Sequence, residues 1–171
     1  SVCVQDYRLA PGEPEAAGLQ LVVSGMTNFP WYRDAIEERI RERGLSGHVI
    51  LTGLVSQERV HSLLAGCEAF VFASTCENCP TSLIEALSFG IPTASSNVGA
   101  MPEIAADAGV YFDPDDPKAI AAALRRLLAD ADLRRTLGHR ALERAAAFPS
   151  ESEVARRTLE VILSAAGRSG G

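Results

Sequence analysis

The sequence predicts an α/β fold in which helices cover both faces of a parallel sheet. Short apolar runs typical of strands alternate with helical patterns along the chain, which is the order that a parallel sheet requires. One run, from Ala69 to Ala73, is apolar on both of its faces, as a strand between two layers of helices must be. Polar and small-residue loops follow the strands, so we expect ligands to bind beyond the strands' carboxyl ends.

Residues that typically begin or end helices indicate where the helices and strands lie along the chain. Proline, serine and aspartate mark helix starts and glycine marks helix ends, as in the helix predicted between Pro30 and Gly44. The domain is expected over residues 19–166, between a poorly defined segment at 1–18 with a short candidate strand at 2–4 and a flexible tail at 167–171. Further strands are predicted at 19–25, 48–53, 69–73, 92–95 and 109–112, and further helices begin near Ser56, Pro80, Met101, Pro117, Asp132 and, with a capping box to Glu153, Ser150.

Composition and charge narrow the class of protein. The 171 residues are 47% apolar and 22% charged, which suits one globular domain with a hydrophobic core. The net charge of −6 predicts no general attraction to nucleic acid or to an anionic membrane. No apolar stretch approaches the ~18 residues of a transmembrane segment, and the first residues lack the features of a signal peptide. Because the initiator methionine is also missing, we expect a fragment or an excised domain.

The spacing of the cysteines raises two alternative functions, a zinc site and a redox motif, which the rest of the sequence does not favour. Among four cysteines, Cys76 and Cys79 form a C-x-x-C motif. A zinc site would need two further ligands, and neither a second such pair nor a pair of histidines follows. A thioredoxin-like motif would open a helix after the first strand of its fold, in an aromatic-rich context. We therefore expect no metal site, reduced thiols and a cytoplasmic location, with a zinc or redox module as distant alternatives.

The segment from Ser74 to Pro92 is the most informative part of the chain. It places a polar loop directly after the buried strand, and then a helix that begins near Pro80 and ends before Gly90. The backbone N–H groups of such a loop and the positive end of the helix dipole both favour an anion, such as a phosphate.

Two carboxylates frame this segment, with seven residues between them: Glu77 in the loop and Glu85 about one turn into the helix. The neighbours of Glu85 along the helix are apolar, so a buried carboxylate there would need hydrogen-bond donors. The two vicinal hydroxyls of a ribose would supply two donors to one carboxylate. On spacing alone, a solvated Glu85 on the helix surface and a Glu77 at a loop tip are equally compatible with the sequence.

Several ordered blocks accompany the two carboxylates. The run from Glu77 to Glu85 is followed by Ala86-Leu87-Ser88-Phe89-Gly90-Ile91-Pro92 and later by Gly99-Ala100-Met101-Pro102-Glu103-Ile104. These blocks resemble the C-terminal half of a glycosyltransferase of the GT4 family (group 1), whose signature is a Glu-x7-Glu pair. The resemblance extends from about Leu19 to about Phe148. It implies a Rossmann-like domain that binds a nucleotide sugar, as the C-terminal half of a GT-B fold does.

The resemblance also implies roles for individual residues. In the family, the second glutamate binds the nucleotide ribose and the first faces the donor sugar, which assigns Glu85 to the ribose and the catalytic position to Glu77. Backbone amides between the two glutamates hold the sugar and the phosphates, and main-chain groups of another loop lie against the base. The donor-binding residues implied are Asn78, Cys79, Pro80, Thr81 and Ser82 for the sugar and phosphates, and Gly53, Leu54 and Val55 for the base. Gly25 is added to the donor-binding residues because it ends a predicted strand and opens a loop at the carboxyl edge of the sheet.

Two departures from the family pattern are visible. Many members have Phe-Gly just after the first glutamate, where this chain has Asn78-Cys79-Pro80. Family members also open with a strand and a helix whose basic residues grip the pyrophosphate, whereas Arg8 is the only basic residue before Arg33 here. Arg8 is interpreted either as a stand-in for that block or as a solvated loop residue.

The function that the resemblance implies is that of a retaining glycosyltransferase of the hexosyltransferase type. It would move a sugar from a nucleoside diphosphate sugar to an acceptor hydroxyl on a glycan or lipid-linked glycan, without a metal or other cofactor. In the family, the acceptor site and the general catalytic histidine lie in an N-terminal domain, so we expect that domain as a partner and little or no transfer by this chain alone. Two alternatives remain open: a non-catalytic binding or scaffolding domain with the same fold, and a domain like that of nucleotide-sugar epimerases.

Overall fold

The computed structural model describes residues 2–5, 19–25 and 29–168. Strands and helices alternate as predicted from residue 20 to residue 129, and two further helices follow. A 3-10 turn at residues 106–108 lies between the fourth helix and the sixth strand. The strands are β1 (Val2–Gln5), β2 (Gln20–Ser24), β3 (Val49–Gly53), β4 (Ala69–Phe72), β5 (Thr93–Ser96) and β6 (Gly109–Phe112). The helices are α1 (Pro30–Glu42), α2 (Gln57–Ala65), α3 (Thr81–Ser88), α4 (Met101–Ala105), α5 (Pro117–Ala129), α6 (Ala131–Ala146) and α7 (Glu151–Arg168).

The six strands form one sheet in the order β3-β2-β1-β4-β5-β6. β2 and β3 are parallel, as are β4, β5 and β6, whereas β1 is antiparallel to both of its neighbours. The predicted parallel sheet is therefore confirmed for five strands, and β1 departs from it. The chain can connect two neighbouring antiparallel strands, such as β1 and β2, without a crossover helix.

β1 lies at the centre of the sheet and confirms the short strand predicted at 2–4. Val2 is in register with Val23 of β2 and with Val71 of β4. Without β1, both neighbouring strands would present an unpaired edge in the middle of the sheet. Residues 1 and 6–18, and with them the interpretation of Arg8, lie outside the described residues.

β4 is buried on both faces, as its sequence predicts. Phe70 and Phe72 pack against one helical layer, formed by α2, α3, α4 and the second half of α6. Ala69 and Val71 pack against the other layer, formed by α5 and the first half of α6. Helices thus cover both faces of the sheet. Truncating a buried phenylalanine such as Phe70 to alanine typically costs about 3–5 kcal/mol, so the two cores dominate the stability of the fold.

Several helix starts lie where their capping residues predict. The Ser56 hydroxyl accepts a hydrogen bond from the backbone N–H of Arg59 at 3.3 Å, and the Asp116 carboxylate accepts one from Lys118 at 2.8 Å. Both bonds satisfy donors that the first turn of a helix otherwise leaves unpaired. α3 begins one residue after Pro80, which is its N-cap rather than its first helical residue.

Two predicted helix starts differ in detail. α6 is capped by Asp130, whose carboxylate accepts a backbone hydrogen bond of the first turn at 2.8 Å, rather than by the aspartate two residues later. At the start of α7, the Ser150 hydroxyl accepts from the backbone N–H of Glu153 at 3.2 Å, which is one half of a capping box. The Glu153 carboxylate instead accepts hydrogen bonds from Arg156 and Arg157, which hold its pKa below the usual range.

α7 extends through Arg168, two residues beyond the expected end of the domain, and 169–171 lie outside the described residues. Its apolar side chains are exposed, with Val161 at 69% and Leu163 at 61%. Among the helices that the structure describes, none is both long enough and apolar enough to cross a bilayer.

α6 approaches the end of α3 closely at two glycines. Gly90 follows α3 with a φ of +68°, in the left-handed region that glycine adopts without strain. A Cβ added to Gly138 would lie 2.7 Å from the Gly90 carbonyl oxygen. The absence of a side chain at Gly138 is therefore what allows α6 to pack against the backbone at Gly90.

We predict that Gly138→Ala destabilises the fold by about 1–3 kcal/mol, because the added methyl group must push α6 away from Gly90. At an open helical position the same substitution would instead stabilise by up to about 1 kcal/mol. Gly47→Ala, in the turn between α1 and β3, is the control for the added methyl group, since a Cβ there would meet nothing within 4 Å. Urea unfolding followed by circular dichroism measures both variants, and a Gly138→Ala variant as stable as the wild type would contradict the close contact.

Candidate functional site

A pocket of about 330 Å³ lies at the carboxyl edge of the sheet. Its walls come from the end of β2, the loop after β3, α2, one residue of β4 and the first two turns of α3. The carboxyl ends of these parallel strands meet at this edge, which is where the sequence predicts ligands to bind. The lining residues are Ser24, Gly25, Leu54, Val55, Gln57, Val60, Leu63, Leu64, Phe70, Thr81, Ser82 and Glu85.

Backbone contacts join the loops after β2 and β3. The Gly25 N–H donates a hydrogen bond to the Gly53 carbonyl oxygen at 3.1 Å. Gly53 has a φ of +66°, so the turn after β3 depends on a glycine at this position. Gly53 itself does not line the pocket, but the turn that it allows presents Leu54 and Val55 to it.

Glu85 reaches the pocket from the second turn of α3 and is half-buried. Its carboxylate oxygen Oε1 accepts a hydrogen bond of 2.8 Å from the side-chain nitrogen of Gln57 in the first turn of α2. The same nitrogen lies 3.0 Å from Nε2 of His61, which is exposed. The Glu85 carboxylate is therefore neither freely solvated nor isolated among apolar groups, and one of its oxygens is held by the neighbouring helix.

Glu77 lies in the loop between β4 and α3, outside the pocket lining. Its side chain is half-buried, and its Oε1 accepts a hydrogen bond from the Ser74 hydroxyl at 3.1 Å. A Cβ added to Gly99 would lie 3.8 Å from the Glu77 carbonyl oxygen. The structure therefore brings the small-residue loop after β5 next to the loop that carries Glu77.

A buried serine anchors the loop that carries Glu77. Ser96, at the end of β5, is fully buried, and its hydroxyl donates a hydrogen bond of 2.7 Å to the Ser74 carbonyl oxygen. This bond crosses from one strand end to the loop of the neighbouring strand. It holds Ser74, and through Ser74 the Glu77 carboxylate, against the sheet.

The residues between the two glutamates divide into two groups. Thr81 and Ser82 line the pocket together with Glu85. Because these are the first residues of α3, the positive end of the helix dipole lies at the pocket and favours an anion there. Asn78 and Cys79 are exposed and Pro80 is buried, and none of the three lines the pocket.

Half of the lining was not among the predicted site residues. Val60, Leu63, Leu64 and Phe70 supply apolar surface, and their spacing predicts them only as core. Ser24 ends a predicted strand beside Gly25. Gln57 follows a helix cap, a position at which nothing in the sequence distinguishes it from a solvated glutamine.

Three cysteines, none of which lines the pocket, are free thiols. Cys76 and Cys79 are exposed in the loop between β4 and α3, and Cys67 is half-buried, with its sulfur 2.8 Å from the Ala69 carbonyl oxygen. Within residues 2–5, 19–25 and 29–168, no three side chains of histidine, cysteine, aspartate or glutamate come together in a group that could hold a metal ion.

Comparison with known protein families identifies the chain. The family model described as "Glycosyl transferases group 1" matches residues 11–144. The chain belongs to the group 1 glycosyltransferase family. The O-antigen chain mannosyltransferase B of Escherichia coli is 32% identical over 149 residues, which cover 87% of this chain and 38% of that protein. The MMP alpha-(1->4)-mannosyltransferase of Mycolicibacterium hassiacum is 32% identical over 153 residues, which cover 88% of this chain and 36% of that protein.

Solved structures give this group 1 glycosyltransferase chain the same fold as larger enzymes. Sucrose-phosphate synthase from Thermosynechococcus elongatus superposes with a TM-score of 0.71 at 29% identity, over 85% of this chain and 38% of that one. Anabaena HepE, solved in complex with UDP, superposes with a TM-score of 0.76 at 18% identity, over 89% and 42% of the two chains. The implied fold, half of a GT-B enzyme, is thus confirmed, and the chain spans less than two fifths of the curated relatives named above.

We predict that Ser96→Ala destabilises this glycosyltransferase chain by about 1–2 kcal/mol, because the half-buried Ser74 loses the donor to its carbonyl oxygen. Ser95→Ala is the matched control on the same strand. Ser95 is equally buried, and its hydroxyl has no hydrogen-bond partner among the described residues, so we expect a change within about 0.5 kcal/mol. Equal losses for the two variants in urea unfolding would show that the bond to Ser74 does not anchor the loop.

Proposed function

We propose that this chain is the donor-binding domain of a retaining glycosyltransferase whose donor is a nucleoside diphosphate sugar. The observation that carries the proposal is the half-buried Glu85 carboxylate, which lines the pocket at the carboxyl edge of the sheet. A carboxylate in this position can accept hydrogen bonds from both hydroxyls of a ribose, whereas a scaffolding domain needs no such group. The solved complex of HepE with UDP supports the choice of ligand class.

The proposed nucleoside lies between α3 and the loop after β3. Glu85 accepts the ribose hydroxyls, and the base lies against Leu54 and Val55. Leu54 is 76% exposed, so its side chain is available to cover one face of a base. Main-chain groups of this loop provide the polar contacts, and Gly25 borders the same space.

The proposed diphosphate lies at the start of α3. The positive end of the helix dipole, at Thr81 and Ser82, stabilises the negative charge that develops on the leaving group. The backbone of residues 78–80 completes the contacts to phosphate and sugar. These residues belong to the loop that carries Glu77, which lies next to the loop of Gly99. Because fixed dipoles supply this stabilisation, the proposal includes no metal cofactor. Glu77 is assigned to the donor sugar, which it orients for attack.

The proposed reaction exchanges one bond at the anomeric carbon of the sugar. The bond to the phosphate oxygen breaks, and its electron pair leaves with the nucleoside diphosphate. The bond to the acceptor oxygen forms with retention of configuration, and the proton of the acceptor hydroxyl is released. Two relatives are named as mannosyltransferases, one of them of an O-antigen chain, which supports a hexosyl donor and a glycan or lipid-linked glycan as acceptor.

We predict that the chain binds one of UDP, GDP and ADP, and that Glu85→Ala raises the dissociation constant by about tenfold or more. Losing a hydrogen bond to a charged group costs about 1.5–3 kcal/mol, and about 1.4 kcal/mol corresponds to a tenfold change in affinity. Ligand-observed NMR titrations with the three nucleotides and their sugar conjugates measure the constants.

Glu58→Ala is the matched control for this titration, since Glu58 is an exposed carboxylate on α2 that does not line the pocket. An unchanged dissociation constant in Glu85→Ala would remove the ribose assignment. A wild-type chain that binds none of the nucleotides or conjugates would favour the scaffolding alternative.

We also predict that the 171 residues alone give no multiple-turnover transfer. The chain covers 38% and 36% of the two mannosyltransferase relatives, and we assign the acceptor site and the general catalytic histidine to an N-terminal domain of the same full-length protein. The assay incubates the chain with radiolabelled nucleotide sugars and mannose-containing oligosaccharides, with the longer protein as positive control. Repeated turnover by the isolated chain would contradict this assignment.

A further inference from the structure

Gln57 and Glu85 meet across the pocket although 28 residues separate them in the sequence. Gln57 lies in the first turn of α2 and Glu85 in the second turn of α3, and both line the pocket. The distance between the Gln57 side-chain nitrogen and Glu85 Oε1 is 2.8 Å, which is that of a hydrogen bond to a charged group. This hydrogen bond joins α2 to α3 through Glu85, the residue assigned to the ribose.

The chemistry of the partners decides which way the Gln57 amide points. An ionised carboxylate can only accept hydrogen bonds, so the Gln57 atom beside Glu85 is the NH2 nitrogen. His61 Nε2 lies 3.0 Å from the same nitrogen, and it can accept the second hydrogen in the neutral tautomer that carries the ring proton on Nδ1. Its ring also packs against that of Phe89, with 5.4 Å between the ring centroids.

The contact restricts the rotation of the Glu85 carboxylate. The last torsion of a glutamate side chain is broad and roughly two-fold, so an unrestrained carboxylate samples many orientations. Ordering such a side chain when a ligand binds opposes association. A carboxylate that α2 already holds by one oxygen has lost part of this freedom before the ligand arrives.

We propose that Gln57 is a positioning residue for the donor site: it orients the Glu85 carboxylate toward the ribose hydroxyls, and His61 fixes the direction of the Gln57 amide. The proposal rests on the assignment of Glu85 to the ribose. Gln57 acts through Glu85 and is given no contact with the reacting atoms. Because the bond is accessible to water, its contribution to affinity is modest.

The test measures nucleotide affinity in a double-mutant cycle. With whichever of UDP, GDP and ADP the wild-type chain binds, Gln57→Leu is expected to raise the dissociation constant about three- to tenfold. Gln57→Glu is expected to raise it further, since it keeps the shape of the side chain but places a second carboxylate against Glu85. In the Glu85→Ala background both substitutions are expected to have no further effect, because the residue they act through is gone.

A second readout does not depend on any ligand. In ¹⁵N spectra of the histidine rings, His61 is expected to hold its proton on Nδ1 in the wild type and to lose this preference in Gln57→Leu. This readout tests the contact between Gln57 and His61 that fixes the direction of the amide, since Gln57→Leu removes that contact. A role of Gln57 limited to packing of α2 would make the losses of nucleotide affinity independent of Glu85. It would also make the isosteric Gln57→Glu milder than Gln57→Leu.

The outcomes of this experiment distinguish the role proposed for Gln57 from the proposed donor site. Nucleotide binding by the wild type, with losses that disappear in the Glu85→Ala background, supports the role of Gln57. Nucleotide binding with equal losses in both backgrounds, or with Gln57→Glu as good as the wild type, overturns it while the donor site stands. Failure of the wild type to bind any of the three nucleotides overturns the donor site itself, and the role of Gln57 with it.

Discussion

The burial of β4 on both faces is the constraint on which the site depends. Phe70 and Phe72 fill one core, and Ala69 and Val71 contact the other. A shift of β4 by one residue would exchange the two sets between cores of different shape, so its register is strongly specified. The end of β4 is therefore fixed at the sheet edge, and the loop and helix that follow must begin there. The hydrophobic effect, rather than any contact inside the pocket, decides where the pocket lies.

Short polar contacts then refine the position of each loop. Gly25 and Gly53 join the loops after β2 and β3 through their backbones, and Ser96 joins the end of β5 to Ser74. Each contact links the ends of neighbouring strands, so each loop is held by the strand beside it. A buried backbone carbonyl without a partner is costly, which makes these links stabilising as well as orienting. The geometry around Glu77 thus depends on a serine that never reaches the pocket.

Local signals explain which parts of the fold and site were predictable. Helix caps such as Ser56 and Asp116 act within a few residues, and the two-sided apolar run of β4 is visible in the sequence alone. The direction of β1 is not a local property, because it depends on pairing with strands far along the chain. The same holds for Gln57, which gains its role only when α2 meets α3. The family resemblance predicted Glu85 as a site residue, but no pattern in the sequence predicted that Gln57 would contact it.

The polar groups of the pocket remain accessible to water in this chain. Glu85 is half-buried and Gln57 is exposed, so water competes with each hydrogen bond that they form. Under the proposed function, a second domain that closes over the pocket would exclude this water, and hydrogen bonds and the α3 dipole act more strongly in a drier site. Donor affinity and transfer would then rise together on closure, without any change in Glu85 or Gln57. The relatives' greater length is consistent with such a division, in which one domain holds the donor and the other completes its environment.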